Sequence, residues 1–290
     1  MTDLGPGVID FYDRHPISAP QVLDALRRQG KVGARLAPDD LYALDQDHYG
    51  GLAAVEALAR RAGIGPGRRV LDVCAGLAGP ARFLAARFGA RVTALDLNAG
   101  RCAGGARLSR LVGLETRVRP VRGDAQVLPF RDGAFDAAIS QEGLLHIPDK
   151  GAVLAECARV LAPAGRLAFS DWIATSRLGD GERRRLTAWM AAVNVQSIAA
   201  YGALLARAGF SGIEAEDLSG EWIGILRERF AMYRRLRADT VARLGEARYE
   251  EYCQLYRFFV RLVEAGKVGG ARFSARADRA APWPRRGPPR

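Results

Sequence analysis

The chain has 290 residues, of which 49% are apolar and 26% are charged, and its net charge is +11. This length holds one large domain or two small ones, and this composition is typical of a globular protein with a sizeable core. Apolar runs stay below the ~20 residues of a membrane helix, and the N-terminus lacks the order of a secretory signal. Four cysteines without CxxC spacing and three histidines argue against a disulfide scaffold and a zinc ribbon. We therefore expect a cytoplasmic protein without a membrane partner or a bound metal.

The positive charge raises the question of a nucleic-acid partner, because basic chains often bind nucleic acid. However, 40 of the 43 basic residues are arginine, and six of them lie within residues 271–290. The remaining charge is spread thinly, without a block of five basic residues or an RNA-binding aromatic motif. A coding bias toward arginine explains this pattern, so we expect no nucleic-acid partner.

Helices and strands alternate from residue 51 onward. A helix is predicted over residues 51–62, and strands are predicted over 69–74, 91–95, 116–122, 134–140 and 165–171. Further helices are predicted between these strands over 79–88, 99–112 and 150–161. This β-α-β-α order predicts a parallel sheet covered by helices on both faces.

Other segments flank or interrupt this pattern. Residues 1–50 are polar, with a helix predicted over 19–28, and residues 174–200 are interpreted as an insertion with a helix over 181–193. A helix over 197–208, a strand over 213–218, a long helical region and a strand over 267–273 follow. An aromatic stripe between residues 249 and 263 falls on one helical face and is interpreted as core packing. The Pro- and Arg-rich end predicts disorder.

A turn of small residues follows the first strand, in VLDVCAGLAG. Cys74, Gly76 and Gly79 have the G-x-G-x-x-G spacing, and such a turn before a helix N-terminus can cradle a nucleotide cofactor. Asp72 at the end of the strand would repel the pyrophosphate of NAD. A cofactor with a cationic end, such as S-adenosylmethionine, suits this carboxylate better.

Polar side chains also follow the next three strands. Asp96 ends the second strand and can accept from both hydroxyls of a ribose. Asp124 follows the third strand in GDAQVLPF and can accept from an adenine amine. Gln141, Glu142 and His146 lie just past the fourth strand. Because the carboxyl ends of parallel strands meet at one edge, this ordered set predicts a binding crevice there.

This ordered set resembles the class I S-adenosylmethionine-dependent methyltransferases over residues 42–273. The family's loop carries glycines at the positions of Cys74 and Ala78, so the turn is sterically tighter in this chain. Further segments are similar to the sarcosine/dimethylglycine N-methyltransferases: DQDHYGG (45–51), GPARFLA (79–85), SQEGLLHIPDK (140–150), ECARVLAPAGRLAFSDW (156–172) and GKVGGARF (266–273).

The resemblance implies a Rossmann-like, doubly wound α/β fold with a seven-stranded, mostly parallel sheet whose last strand is antiparallel. It divides the chain into an N-terminal helical lid over residues 1–50, a methyltransferase domain over 51–275 and a disordered basic tail over 276–290. An insertion that covers the acceptor is expected near 174–200, and extra helices are expected near 222–265.

The resemblance also assigns roles to individual residues. Cofactor contacts are expected from Tyr42, Gln46, Tyr49, Asp72, Cys74, Gly76, Gly79, Asp96, Leu97, Asp124, Ala125 and Gln141. The first three of these would form the lid, and Asp72 would hold the methionine ammonium. Acceptor contacts are expected from His48 in the lid motif, from Trp172 where the family has a proline, and from Trp189 and Gln196 in the insertion.

The implied reaction is methyl transfer from S-adenosylmethionine to a small molecule, with the nitrogen of an amino acid or amine as the expected acceptor. An amine needs a free lone pair, and His146 is the candidate base because its usual pKa lies near neutrality. The alternative is that His146 caps the helix that starts near Asp149 or orders the loop over residues 141–148.

Other functions remain open. Methylation of oxygen, carbon or sulfur in a secondary metabolite would keep the cofactor and require a larger apolar pocket. An RNA-binding methyltransferase, or a cofactor-binding module without catalysis, would present a continuous basic face beside the pocket. An NAD-dependent dehydrogenase is disfavoured by Asp72 and the GDA segment. The expected partner is a small-molecule acceptor, and a homodimer is the assembly that we consider.

Overall fold

The predicted sheet is present in the computed structural model, which describes residues 6–13, 15, 17–31 and 36–278. In these residues it has seven strands: β1 (Arg69–Val73), β2 (Arg91–Asp96), β3 (Val118–Arg122), β4 (Phe135–Gln141), β5 (Leu161–Ala174), β6 (Phe210–Asp217) and β7 (Val268–Ala277). Their spatial order is β3-β2-β1-β4-β5-β7-β6. Strands β1 to β5 are parallel, and β7 is antiparallel to both of its neighbours. The doubly wound, mostly parallel sheet with an antiparallel last strand is thus confirmed.

The helices of the described chain are α1 (Pro6–Asp13), α2 (Ala19–Arg28), α3 (Gly51–Arg61), α4 (Gly79–Phe88), α5 (Ala99–Leu111), α6 (Lys150–Val160), α7 (Asp180–Met190), α8 (Ile198–Arg207), α9 (Ser219–Arg235), α10 (Arg237–Leu244) and α11 (Glu246–Glu264). Helix α1 was not predicted, because eight residues are too few for a helical period to stand out. The long helical region is divided into α9, α10 and α11, with breaks at Leu236 and at Gly245, where φ is +82°.

Alternate residues of the central strands face two different helix layers. Val70 and Ile139 belong to an apolar cluster with α3, α4 and α5, whereas Leu71 and Phe169 belong to one with α6 and α8. This alternation arises because successive side chains of a strand point to opposite faces of the sheet. A third cluster joins α7, α9 and α11 around Trp172, near the carboxyl end of β5.

The C-terminal strand defines where the sheet ends. Strand β7 continues to Ala277, two residues beyond the domain end predicted at 275, and residues 279–290 of the predicted tail lie outside the described residues. In the part of the chain that the structure describes, no helix combines the length and apolar character needed to cross a membrane. All four cysteines are free thiols.

Candidate functional site

A cavity opens at the edge where the parallel strands end. Its walls include Asp72 from β1, Asp96 from β2, Asp124 after β3 and Gln141 from β4. It holds about 1000 Å³ of space, counted out to the surrounding solvent, and we name it the sheet-edge cavity. The strand ends that were predicted to meet are therefore brought together in one site.

The turn between β1 and α4 lies in the left-handed region of the backbone map. The angle φ is +59° at Cys74, +59° at Ala78 and +54° at Gly76. For a residue with a Cβ this conformation costs about 1–2 kcal/mol, so Cys74 and Ala78 hold strain that a glycine would not. The turn keeps its shape because the backbone N–H of Gly76 donates to Oδ2 of Asp96 at 2.8 Å.

Gly79 begins α4 but does not line the sheet-edge cavity. A Cβ at this position would overlap the carbonyl oxygen of Asp45 and lie 2.9 Å from Nε2 of Gln46. The glycine therefore allows residues 41–50, which we name the lid segment, to pack closely against the start of α4. This role differs from the cofactor contact that its motif position implied.

The substitution Gly79→Ala is expected to lower the free energy of unfolding by about 1–3 kcal/mol, since the added methyl group overpacks a close contact. Urea unfolding measures the loss. The matched control is Gly202→Ala in the middle of α8, because no other atom lies within 4 Å of its added Cβ and alanine favours a helix. Equal stability of the two variants would contradict the packing role of Gly79.

Two ion pairs with buried arginines hold the lid segment over the cavity. Nη2 of Arg82 on α4 donates to Asp45 at 2.7 Å, and both side chains have 0% exposure. Nη2 of Arg101 on α5 donates to Asp47 at 2.6 Å, and Nη1 donates to the carbonyl oxygen of Ile17. Nε of Arg101 is buried without a hydrogen-bond partner among the described residues, so it remains available to a ligand.

The carboxyl groups at the ends of β1 and β2 influence each other. Asp96 accepts from the backbone N–H groups of Gly76 at 2.8 Å and Asn98 at 2.9 Å. Burial raises the pKa of Asp96, and these donors oppose the rise. Burial, together with the charge of Asp96, raises the pKa of Asp72 to about 8. Oδ2 of Asp72 finds no partner in the described chain, so this carboxyl suits a cationic or hydrogen-donating ligand.

The remaining walls combine hydrogen-bond acceptors with apolar surface. Asp124, Ala125 and Leu97 line the sheet-edge cavity together. Oδ1 of Asp124 accepts from the backbone N–H of Gln126 at 2.8 Å. Gln141 lines the same cavity, and within the described residues neither polar atom of its side chain has a partner.

Four side chains line both the sheet-edge cavity and a second cavity, and we name them the common wall: Tyr12, Asp47, Glu142 and His146. Nδ1 of His146 lies 2.9 Å from the carbonyl oxygen of Ala191, and Nε2 lies 2.8 Å from the hydroxyl of Tyr12. Because a carbonyl oxygen only accepts, Nδ1 carries the proton and Tyr12 donates to Nε2. Burial lowers the pKa of His146 to about 4, so the ring is neutral at pH 7.

The helix-capping alternative for His146 is wrong. The side chain of Asp149 accepts from the backbone N–H of Ala152 at 3.0 Å and supplies the cap of α6. The contacts of both ring nitrogens instead fit the other alternative, the ordering of the loop that carries His146. Its role as a base stays a prediction.

Glu142 is the buried carboxyl of the common wall. Its φ is +43°, and its Oε2 accepts from the backbone N–H of Tyr49 in the lid segment at 2.9 Å. Burial raises the pKa of Glu142 to about 7, and the hydrogen bond from the backbone N–H of Tyr49 opposes this rise. A carboxyl with this pKa can both take up and release a proton near neutral pH.

The second cavity lies between the lid segment and helices α1, α2, α9 and α11, and it holds about 1610 Å³ counted out to solvent. Trp172 and Tyr252 are among its many ring side chains, so we name it the aromatic cavity. Arg229 is the one Lys or Arg side chain in its described lining. Nη2 of Arg229 donates to the carbonyl oxygen of His48 at 2.9 Å, and the guanidinium carbon lies 5.0 Å from the ring centre of Tyr49.

Most of the predicted cofactor residues line the sheet-edge cavity: Asp72, Cys74, Gly76, Asp96, Leu97, Asp124, Ala125 and Gln141. The three predicted lid residues do not. The ring of Tyr42 packs against that of Phe83 with centres 5.5 Å apart, while Gln46 and Tyr49 line the aromatic cavity. Tyr12 on α1 occupies the covering position instead.

The residues predicted to meet the acceptor are dispersed. His48 lines the sheet-edge cavity, and Trp172 lines the aromatic cavity. Trp189 is 41% exposed and lines a separate cleft, whereas Gln196 hydrogen-bonds within the insertion and lines neither named cavity. Helices α9 and α11 supply six residues to the aromatic cavity, and the insertion over residues 174–200 supplies one. Helices α9 and α11, which had no expected role in binding, therefore contribute more to this wall than the insertion that was expected to cover the acceptor.

Several residues of the site had no assigned role at the level of sequence. Tyr12, Arg101 and Arg229 were missed, and Glu142 was placed at the crevice without a function. Nothing in the sequence separates these two arginines from the other 38. The aromatic stripe of α11 is core packing only in part, because Tyr252 lines the aromatic cavity.

Comparison with known proteins gives matches along the same region. Residues 71–169 match the family described as "Methyltransferase domain". A glycine/sarcosine/dimethylglycine N-methyltransferase of Actinopolyspora halophila is 34% identical over 165 residues, which cover 57% of this chain and 29% of that protein. Methyltransferase GfsG of Streptomyces halstedii is 33% identical over 183 residues, which cover 62% of this chain and 66% of that protein. The chain thus spans less than a third of the first relative's length.

Among solved structures, the chain is similar to phosphoethanolamine N-methyltransferase 2 of Haemonchus contortus in complex with phosphomonomethylethanolamine and S-adenosylhomocysteine. The TM-score is 0.78 at 19% identity, and the match covers 95% of this chain and 61% of the other. This likeness shows a shared fold.

Proposed function

We propose that this chain is a class I S-adenosylmethionine-dependent methyltransferase, since residues 71–169 match the "Methyltransferase domain" family, and that it transfers the methyl group of S-adenosylmethionine to the nitrogen of a small amine or amino acid. The common wall carries this proposal. Its proton-accepting side chains stand between a cavity for the cofactor and a cavity for an acceptor. The relative that is named as a glycine/sarcosine/dimethylglycine N-methyltransferase supports nitrogen as the acceptor atom.

The residues of the sheet-edge cavity fit the cofactor. Asp72 has a buried oxygen without a described partner for the methionine ammonium, and Arg101 has such a nitrogen for the carboxylate. After accepting from two backbone N–H groups, each oxygen of Asp96 keeps a lone pair for a ribose hydroxyl. Asp124 would accept from the adenine amine, with Leu97 packing beside it.

When bound, the cofactor supplies an electrophilic methyl group on a good leaving group. The residues of this chain align the acceptor with that group and exclude water, and such alignment is worth about 7–11 kcal/mol of the barrier. Val8, Ile9 and Tyr12 from α1, together with His48 from the lid segment, line the cavity. These side chains would keep water from the reacting atoms.

Glu142 is the proton acceptor that the geometry favours. Its pKa of about 7 allows it to take the proton of an incoming ammonium. The pKa of His146 is about 4, so His146 is a weaker base for that proton. Its Nε2 accepts a hydrogen bond from the hydroxyl of Tyr12 at 2.8 Å and so holds Tyr12 in position. We therefore propose Glu142 as the base and His146 as a positioning residue, with the predicted base role of His146 as the alternative.

Calorimetry with S-adenosylmethionine and with NAD, followed by a methyl-release screen over amines, phenols and thiols, tests the proposal. We expect S-adenosylmethionine to bind and amines to be methylated. Asp96→Ala should weaken cofactor binding about 100-fold, because hydrogen bonds to a charged acceptor contribute roughly 1.5–3 kcal/mol each. Asp217→Ala, at the end of β6 and outside both cavities, is the matched control. Failure to bind S-adenosylmethionine would overturn the proposal, and unchanged affinity in Asp96→Ala would refute the ribose assignment.

Binding of S-adenosylmethionine is expected to release a proton from Asp72. With a pKa of about 8, this carboxyl is mostly protonated at neutral pH, and a nearby ammonium favours its ionised form. The affinity should therefore rise with pH up to about 8 and level off above it. Calorimetry in buffers of different ionisation enthalpy measures the released proton. The variant Asp72→Asn should bind S-adenosylmethionine more weakly and should release fewer protons on binding.

The same raised pKa affects the stability of the ligand-free protein. Between the usual value of 3.8 and about 8, the folded state keeps a proton that the unfolded chain has lost. The free energy of unfolding should therefore fall as pH rises through this window, and the fall should be smaller in Asp72→Asn. Identical proton release and pH dependence in the two proteins would show that Asp72 does not titrate on binding.

A second candidate is methylation of oxygen, carbon or sulfur in a larger metabolite. The aromatic cavity favours it, because a larger apolar pocket is the feature that separates this function from methylation of a small amino acid. The phenol and thiol arms of the screen decide between the two candidates. Turnover of a phenol or thiol in the absence of amine turnover would establish the second one.

We propose that the reaction takes place in the cytoplasm on a diffusible acceptor. The four free thiols suit a reducing compartment, where disulfides are rare. Fractionation of the source cells tests the compartment, and sedimentation of the purified protein tests whether it forms a homodimer.

A further inference from the structure

The aromatic cavity is lined mainly by apolar and aromatic side chains, more of them than an amino-acid acceptor requires. Of the 25 residues that line it, 17 are apolar or aromatic, from Phe11 on α1 to Tyr256 on α11. A zwitterion of the size of sarcosine has little apolar surface to bury against these walls.

The same cavity is poorly equipped to hold a phosphate or another strong anion. Arg229 is the single Lys or Arg side chain in its described lining. Nη2 of Arg229 already donates to the carbonyl oxygens of His48 at 2.9 Å and Gln46 at 3.5 Å. This guanidinium therefore links α9 to the lid segment. A doubly charged phosphate in the cavity would have this one cation to pair with, and part of its hydrogen-bonding capacity is already used.

The inner end of the cavity favours a positive charge instead. Asp47 and Glu142 are the acids of its lining. Asp47 is already paired with Arg101 at 2.6 Å and lies 3.5 Å from His15. Glu142 is thus the carboxyl left to receive a cationic nitrogen at the boundary with the sheet-edge cavity.

The outer end is apolar as well. Met232 and Leu236 line the cavity, and each is 47% exposed. They lie four residues apart at the end of α9, a spacing that places two side chains on one helical face. Large apolar side chains exposed at a cavity mouth mark a surface that an apolar ligand can contact.

We propose that the acceptor is an amine carried on a bulky apolar body, of the arylalkylamine class. Its nitrogen lies at Glu142, and its ring or chain lies against the aromatic cavity. The carboxylate of Glu142 takes the proton of the bound ammonium and frees the nitrogen lone pair. That lone pair forms the new N–C bond as the S–C bond breaks, the thioether leaves uncharged, and the product leaves as the methylated ammonium. This inference rests on the proposed function and narrows it, because amino acids and phosphate-bearing amines become poor acceptors.

A series of amines with increasing apolar size tests the inference: methylamine, phenethylamine and tryptamine, assayed by formation of S-adenosylhomocysteine. We expect kcat/KM to rise at least about 100-fold along the series, because even one methylene in an apolar pocket is worth about 10-fold or more. Sarcosine and phosphoethanolamine should not exceed methylamine. The alcohol 2-phenylethanol, which matches phenethylamine in shape, should not be methylated.

Substitutions that fill the cavity provide the structural arm of the test. Leu255→Trp and Met232→Trp should each lower the preference for tryptamine over methylamine at least about 10-fold. Two variants keep the test decisive if one of them fails to fold. Leu111→Trp is the matched control, because Leu111 is 40% exposed at the end of α5 and lines neither cavity. Its preference should equal that of the unmodified protein.

Direct binding separates the inference from the proposed function. Tryptamine should bind to the protein loaded with S-adenosylhomocysteine, measured by calorimetry, and its absence from the complex would overturn the inference. A preference for sarcosine over tryptamine would also overturn it and leave the proposed function intact. Methylation of 2-phenylethanol without phenethylamine would overturn both, and so would failure to bind S-adenosylmethionine, because the inference rests on the proposed function.

Discussion

Replacing Glu142 with glutamine is expected to lower kcat/KM for an amine acceptor about 10²–10⁴-fold, the usual cost of losing a positioned proton acceptor. The glutamine oxygen can still accept from the backbone N–H of Tyr49, which lies 2.9 Å from Oε2 of Glu142, so the lid segment should stay in place. In the unmodified protein the rate should rise with pH through about 7, as the carboxyl of Glu142 ionises. This part of the pH profile should be missing in Glu142→Gln, and steady-state kinetics across neutral pH measures both effects.

The comparison with His146→Ala decides which residue is the base. Melting temperature and cofactor affinity should stay unchanged in Glu142→Gln, which separates a chemical loss from a folding loss. Full turnover in Glu142→Gln together with lost turnover in His146→Ala would return the base role to His146. A change of KM rather than of the pH profile in His146→Ala would fit a residue that positions Tyr12.

The substitution Asp45→Ala is expected to lower the free energy of unfolding by about 3–5 kcal/mol, because it leaves a buried guanidinium without its carboxylate. Arg82 and Asp45 both have 0% exposure. Nη1 of Arg82 also donates to Gly105 and Ser109 at 3.3 and 3.2 Å, so the arginine cannot move out to solvent without breaking these contacts. Denaturant unfolding measures the loss.

An exposed ion pair provides the control for this substitution. Asp24→Ala breaks the ion pair with Arg27, in which the side chains of Asp24 and Arg27 are 55% and 60% exposed. This change should lower the free energy of unfolding by no more than about 1 kcal/mol. The double variant Asp45→Leu, Arg82→Met should recover much of the loss, because an apolar pair removes the unpaired charge. Equal stability of Asp45→Ala and Asp24→Ala would show that the buried pair does not hold the lid segment.

The order of strands and helices followed from the sequence because local signals mark each of these elements. In α4 the proline at position 80 and the glycine at position 89 stand at the start and end, and the helix spans Gly79–Phe88 as predicted. Strand β5 begins four residues before the predicted start at residue 165, because Pro163 in its first half is a residue that usually breaks a strand. Local composition therefore predicts where an element lies better than where it ends.

The carboxylates of the sheet-edge cavity were predictable, whereas the contacts that assemble the common wall were not. Asp72, Asp96 and Asp124 end successive parallel strands, so the topology alone brings them together. The contact between Tyr12 and His146 joins residues 134 positions apart, and that between Arg229 and His48 joins residues 181 positions apart. Such pairs depend on how α1 and α9 dock, and no local periodicity encodes that.

Because β6 and β7 pair antiparallel, the helices between them form one segment of the chain, separate from the residues that line the sheet-edge cavity. Asp217 lies opposite Ala271, so the chain leaves the sheet and returns to it at neighbouring points. Residues 219–264 between these strands form the helical excursion α9 to α11, whereas the residues that line the sheet-edge cavity come mainly from 72–147. One continuous segment therefore contributes to the aromatic cavity and not to the sheet-edge cavity. We expect a chimera that carries the excursion of another enzyme to change the choice of acceptor more than the affinity for S-adenosylmethionine.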